Sequence, residues 1–258
     1  MDLKGKRIVI TGASSGIGQA FARRLAKAGA RVVGVSRNPE DITRALGDLG
    51  VQAIGCDVSD PKQVDAMLEE AAGLLGGIDV FAANAGFAYY GAIGPPDWDK
   101  NERIFKTNVL SPIYTLQKLA QGRTEKLTFM LTISALGKMV LPGFALYDST
   151  KFALDGFVRT YRMEKPKNIK IMPVYPIGTL QTGFFKKAAD RTPVPVPPQP
   201  VGIVAWCMEM GLRMGARSVY TSIVFLVRCL LVRVLPVDLV SQGIERVRFS
   251  IWRKKHQQ

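Results

Sequence analysis

Histidine is almost missing: the 258 residues contain one, His256, beside the C-terminus. That scarcity removes imidazole acid/base catalysis and His-metal chemistry from the body of the chain. Cysteine is nearly as rare. Cys56, Cys207 and Cys229 are odd in number and far apart, so they form neither a disulfide framework nor a metal-ligand cluster, and they fit a reducing compartment. No uncharged apolar run reaches the roughly 20 residues that a membrane-spanning helix needs. No apolar leader is visible before the first strand, because Asp2-Leu3-Lys4-Gly5-Lys6-Arg7 runs straight into Ile8-Val9-Ile10. The expectation is synthesis and residence in the cytoplasm. Acidic residues are short as well, 21 against 35 Lys and Arg, which leaves a net charge of +14. Half of that excess falls after residue 212, where nine basic residues face two acidic ones, so an anionic partner is expected for the tail alone.

What is present is an alternation. Short β-branched runs over 8–11, 32–36, 51–57, 79–83, 127–134 and 169–175 read as strands, and longer periodic stretches over 16–28, 40–49, 61–75, 98–120 and 149–163 read as helices. Alternating β and α elements predict an α/β fold, a doubly wound parallel sheet with helices on both faces. Continuous apolar strands agree, since both sheet faces are then covered. The proline-dense stretch 191–200 breaks the pattern before a helix over 201–214. It reads either as a substrate-covering lid or as a rigid linker to the tail. A single domain over 1–218 is expected, followed by a helical, basic and apolar extension over 219–258.

Thr11-Gly12-Ala13-Ser14-Ser15-Gly16-Ile17-Gly18 follows the first strand and opens a helix. Glycines there permit a tight turn and close backbone approach, and the helix N-terminus offers unpaired N–H groups to a pyrophosphate. At the end of the second strand a carboxylate would hold the ribose hydroxyls of NAD. The residues are instead Val35-Ser36-Arg37, and Arg37 suits a 2′-phosphate, so NADP(H) is preferred over NAD(H).

Tyr147-Asp148-Ser149-Thr150-Lys151 carries the chemistry. Residues four apart share a helix face, so the Tyr147 phenol and the Lys151 ammonium point into one space. A fixed positive charge there is expected to lower the phenol's pKa and bring proton transfer into range. Asn108, in an otherwise apolar helix, is costly without partners and so reads as functional.

Taken in order, these features resemble the short-chain dehydrogenase/reductase family, over residues 6 to about 185. TGASSGIG is similar to its cofactor loop, Asp57-Val58 to its adenine-contacting pair, and Asn84-Ala85-Gly86 to its Asn-Ala-Gly segment. Asn108, Ser134, Tyr147 and Lys151 are similar to its catalytic set. One departure lies in Pro176-Ile177-Gly178-Thr179, where Ile177 stands in place of the usual glycine, next to the residues that would hold nicotinamide, Pro176, Ile177 and Thr179. The resemblance implies a Rossmann-type fold, a homo-oligomer, and metal-free hydride transfer between a nicotinamide and a ketone or secondary alcohol. Tyr147 would be the acid/base and Ser134 the hydrogen-bond donor to substrate oxygen. Lys151 would also hold the nicotinamide ribose, and Asn108 would position a water. A rival reading is a dinucleotide-sensing or scaffold protein that keeps the fold without the chemistry.

The tail mixes apolar runs with Arg228, Arg233, Arg246, Arg248, Arg253, Lys254, Lys255 and Trp252. This mixture suits peripheral contact with the cytosolic face of an anionic membrane, or a subunit interface, and it disfavours nucleic acid. With the apolar residues before Tyr147, Leu141 to Leu146, it points to a small hydrophobic substrate, a steroid or a long-chain keto-lipid.

Overall fold

Among the described residues seven short strands build one sheet: β1 (Arg7–Thr11), β2 (Arg31–Ser36), β3 (Gln52–Gly55), β4 (Val80–Ala83), β5 (Leu127–Thr132), β6 (Ile169–Tyr175) and β7 (Val219–Tyr220). Their order is β3-β2-β1-β4-β5-β6-β7, with every neighbouring pair parallel. The computed structural model describes residues 1–179 and 198–231. The helices are α1 (Gly16–Lys27), α2 (Pro39–Leu46), α3 (Pro61–Leu75), α4 (Trp98–Phe105), α5 (Ser111–Ala120), α6 (Ala145–Glu164), α7 (Val201–Met214) and α8 (Ile223–Leu231).

Alternation along each strand divides the core in two. Val9, Phe129 and Leu131 face Met67 of α3, Leu116 of α5, and Leu154 and Val158 of α6. Ile8, Ile10 and Met130 face Phe21 and Leu25 of α1, Ile42 of α2, and Val204 and Met208 of α7. Each such side chain is almost fully buried and contributes about 1.5–3 kcal/mol, so covering both faces is what fixes the register. Local signals set the helix ends. Asp60 caps α3 by accepting from the Lys62 N–H at 2.9 Å, Pro61 occupies its first position, and Gly76 closes it in the left-handed region.

The fold departs from the expected elements in four places. The helix expected over 98–120 is α4 and α5 joined by a five-residue π turn, Lys106–Leu110, with Asn108 inside it. The strand expected to reach residue 134 ends at Thr132, and Ser134 takes φ +129°. The strand expected to reach residue 57 ends at Gly55, which leaves Asp57 in a turn. The helix expected from 149 starts at Ala145, so Tyr147 stands in its first turn. The two-residue β7 falls at the boundary drawn at residue 219, and Phe225 of α8 reaches the core. Of the proline-dense stretch only residues 198–200 are described, and the tail beyond Leu231 lies outside the described residues.

Candidate active site

The sheet order reverses beside β1, whose neighbours β2 and β4 lead to opposite halves, and that opens a crevice at the carboxyl ends of the strands. The Gly12 loop and the Asn84 segment border it. Gly12 has φ +70°, and a Cβ added there would lie 3.0 Å from the Ala85 Cα. A Cβ on Gly18 would strike the Gly12 carbonyl and come within 2.7 Å of the Asn84 amide. The loop can therefore be built only with glycine at these positions. At the N-terminus of α1, Ser15 makes no side-chain cap bond and the first turn has no acidic residue, so the helix's positive end is uncompensated. Ser14, Ser15, Gly16 and Ile17 present this end. Such a donor set, beside a floor that tolerates no side chain, fits the pyrophosphate of a nicotinamide dinucleotide.

Asn84 is held from three sides. Its backbone N–H donates to Thr11 Oγ1 at 3.0 Å, its amide donates to the Thr11 carbonyl at 3.2 Å, and its Oδ1 accepts from Thr132 Oγ1 at 3.2 Å. Ala85 N–H also donates to Thr11 Oγ1, at 3.0 Å. Asn84 thus pins the ends of β1, β4 and β5 together. Asp57 Oδ1 accepts from both the N–H and the hydroxyl of Ser59, at 2.9 and 2.7 Å, which is a turn-forming arrangement, and Val58 follows it. Arg37 is exposed just past β2.

Asn108 is 1% exposed, and its amide is fully used. Nδ2 donates to the Phe87 carbonyl at 2.8 Å and to Thr150 Oγ1 at 3.2 Å, while Oδ1 accepts from the Phe87 N–H at 3.1 Å. Thr150 in turn donates to the Tyr147 carbonyl at 2.7 Å. The π turn is what aims Asn108 inward, since one extra residue in the turn rotates its side chain onto the strand-end segment. A Cβ on Gly86 would lie 3.1 Å from Asn108 Oδ1 and 3.8 Å from Lys151 Nζ, so Gly86 leaves the space between them clear.

Tyr147 and Lys151 are both buried, with Lys151 Nζ 5.3 Å from the Tyr147 ring centre and donating to the Thr132 carbonyl at 3.0 Å. Ser134 hydrogen-bonds the Tyr147 hydroxyl. The electrostatics differ from the expectation. Burial raises the Tyr147 phenol well above its ordinary value, against the Ser134 hydrogen bond that lowers it, and Asp148 raises it further. Burial also lowers Lys151 to about 7. In the protein alone, desolvation is the largest cause for both groups, and the phenol stays above its ordinary value despite the amine beside it.

Pro176 accepts from the Ala135 N–H at 2.8 Å, which couples the β6 end to the Ser134 turn. Ile177 packs on the core, and Thr179 is buried and bridged to Gln199. Residue-type reasoning passed over Thr11, Thr132 and Thr150, the threonines that hold Asn84, Lys151 and Asn108. A threonine at the last position of an apolar strand was the available signal. Also unforeseen is a buried network in which Asp155 accepts from Tyr175 at 2.6 Å and pairs with Lys138 at 3.0 Å, tying α6 to β6.

Comparison with known proteins agrees with this geometry. The chain is 31% identical over 200 residues to 3-ketodihydrosphingosine reductase of Bos taurus, covering 72% of this chain and 60% of the bovine one. The chain thus spans less than two thirds of that relative. It is 26% identical over 270 residues to the Mus musculus protein of that name, covering 95% and 80%. A short chain dehydrogenase of Burkholderia cenocepacia in complex with NADP superposes with TM-score 0.73 at 26% identity, covering 85% and 97%. One from Burkholderia phymatum, in complex with NAD, gives 0.77 at 20%, covering 94% and 96%. Residues 6–192 match the model described as short chain dehydrogenase, a span that takes in the glycine loop, Asn108, Ser134, Tyr147 and Lys151, and the chain belongs to that family.

Proposed function

We propose that the chain is an NADP(H)-dependent oxidoreductase acting on a hydrophobic ketone or secondary alcohol of the steroid or long-chain keto-lipid kind. The observation that carries this reading is the wall beside Tyr147. Phe144 packs on the Tyr147 ring at 6.1 Å and on Tyr90 at 4.9 Å, within a cluster that includes Ala88 and Ile104, with Phe87, Leu136 and Leu141 against it. An apolar wall beside the proton donor favours a substrate that is greasy around its carbonyl. The bovine and murine relatives, each named 3-ketodihydrosphingosine reductase, support the same class. Arg37 in place of a carboxylate supports the phosphorylated cofactor.

When bound, the dinucleotide supplies or accepts the hydride. Tyr147 gives the proton to the substrate oxygen in reduction and takes it back in oxidation, and Ser134 donates a hydrogen bond to that oxygen as charge develops on it. Lys151 would hold the ribose hydroxyls of the bound dinucleotide and, when protonated, would favour the phenolate. Asn108 keeps the strand-end segment and α6 in register.

The test is NADPH and NADH consumption against 3-keto sphingoid bases, steroid ketones and short polar ketones. NADPH oxidation fastest with the long-chain or steroid ketones is expected. A preference for NADH or for short ketones counts against the assignment, and tight cofactor binding with no turnover favours the sensor reading. Exposed Ile223 and Val224 on α8 also support peripheral membrane contact. Among the described residues no helix is long and apolar enough to cross a membrane. Loss of liposome co-sedimentation on removal of 219–258 checks that contact.

A further inference from the structure

At the amino end of β6 and β7, five cations surround one concavity of about 440 Å³: Arg162, Lys165, Lys167, Lys170 and Arg217. Among the described residues no carboxylate lines it. Among the described residues none of the five pairs with an acidic side chain, whereas Arg7, Arg24, Lys118, Lys138, Arg159 and Arg213 all do. The concavity lies a whole strand away from Tyr147, roughly 20 Å for the length of β6, so it is separate from the crevice.

Hydrogen bonds to the protein anchor part of the cluster. Lys170 donates to the Gly215 carbonyl past the end of α7, and Arg162 donates to the Ile171 carbonyl at 3.2 Å, to Ser218 Oγ at 3.3 Å and to the Arg217 carbonyl. Lys165 reaches only the neighbouring Pro166 carbonyl, at 3.3 Å. Lys167 and Arg217 are exposed and donate no side-chain hydrogen bond to the described residues, so these two cations are not anchored by the protein. Burial lowers the Arg162 pKa, and Arg217 beside it adds to that lowering, against Tyr175, Tyr220 and Asp155, which raise it. Arg162 is nonetheless fixed by its three acceptors, which is the preorganised fork that oxyanion recognition uses.

We propose that this concavity is a second anion site, distinct from the cofactor crevice, that takes a phosphate group carrying two or more negative charges. The group belongs either to a free phosphorylated small molecule or to a phospholipid headgroup. Anchored Arg162 and Lys170 form its floor, and Lys165, Lys167 and Arg217 close around it.

The experiment uses the full chain with the crevice first saturated by NADP⁺ or NAD⁺, so that added anion cannot enter there. Pyrophosphate is titrated by calorimetry in one arm. Phosphatidylcholine vesicles with and without phosphatidic acid are sedimented in the other. The variants are Lys167→Glu with Arg217→Glu, the neutral pair Lys167→Gln with Arg217→Gln, and Lys27→Glu on exposed α1 as a charge control. Melting temperature verifies folding, and the exposed positions make retention of fold the expected result. Loss of pyrophosphate affinity by about tenfold or more in both pairs, with the Lys27 variant unchanged, supports a site for a free phosphate. Binding confined to phosphatidic acid vesicles and lost in the same pairs supports the lipid source. Two results would overturn the proposal: wild-type protein binding neither ligand, or all variants weakening it equally.

Discussion

Lys151 lies with its ammonium 5.3 Å from the ring centre of Tyr147, and both side chains are buried. Because burial disfavours both charged forms, the pair is held as neutral phenol and partly neutral amine. Tyr147→Phe should cut turnover by about 10²–10⁴-fold and leave dinucleotide affinity within about threefold, since only the transferable proton is removed. Stopped-flow turnover and fluorescence titration of the cofactor check this. A Phe variant that turned over at the wild-type rate would strip Tyr147 of its role.

Stability of the ligand-free protein should respond to pH in two windows of opposite sign. Asp148 is raised from 3.8 to about 7 by burial, so the native state holds an extra proton between those values and stability falls as pH climbs through them. Lys151 is lowered from 10.5 to about 7, so the unfolded state holds the extra proton above 7 and stability rises from there towards 10.5. Asp148→Asn should flatten the acid window while leaving the alkaline one. Urea midpoints of wild type and variant, subtracted at each pH, isolate the effect from other carboxylates.

Ser134 has φ +129° without being glycine, a backbone state that costs about 1–3 kcal/mol. Ser134→Gly should therefore melt higher than Ser134→Ala, although both lose the hydroxyl that bonds Tyr147 and both lose activity. Paired thermal melts read the difference. Equal melting temperatures would mean that the turn stores no strain.

Removal of the Asn108 amide strands the Phe87 N–H and carbonyl inside the protein. Asn108→Ala should destabilise by about 1–3 kcal/mol and loosen the segment that carries Gly86. Amide hydrogen exchange at Phe87, faster in the variant, is the expected signature. Unchanged exchange there would argue that Asn108 serves solvent alone.

Arg37→Asp should exchange cofactor preference, weakening NADP(H) by about tenfold or more and strengthening NAD(H). Steady-state kcat/KM with each cofactor gives the ratio. A ratio that does not move would place 2′-phosphate recognition elsewhere.

Elements with a strong period were legible from the chain. β1, α1 and the glycine loop followed from an apolar run, a turn and a helical repeat in sequence, because backbone sterics and strand burial act locally. Asn108 stood out because an amide inside an apolar helix is costly, and Tyr147 with Lys151 because four-residue spacing puts them on one face, whereas Ser134 was picked out only by its place in a family-like set. The π turn was not legible, because its extra residue is selected by the bonds of Asn108 to Phe87 and Thr150, 21 and 42 positions away. Nor was the two-residue β7, which exists only by pairing with β6.

By itself the sequence determined which groups this protein can use: a dinucleotide-binding loop, a phenol, an amine, and almost no imidazole or thiol. Tertiary structure alone decided their protonation, because desolvation is a property of what surrounds a group. Depth of burial drives Tyr147 up and Lys151 down, and no spacing along the chain encodes that depth. The same holds for the five cations at the far end of β6, which lie in two separate stretches of sequence and share one concavity only because β6 and β7 lie side by side.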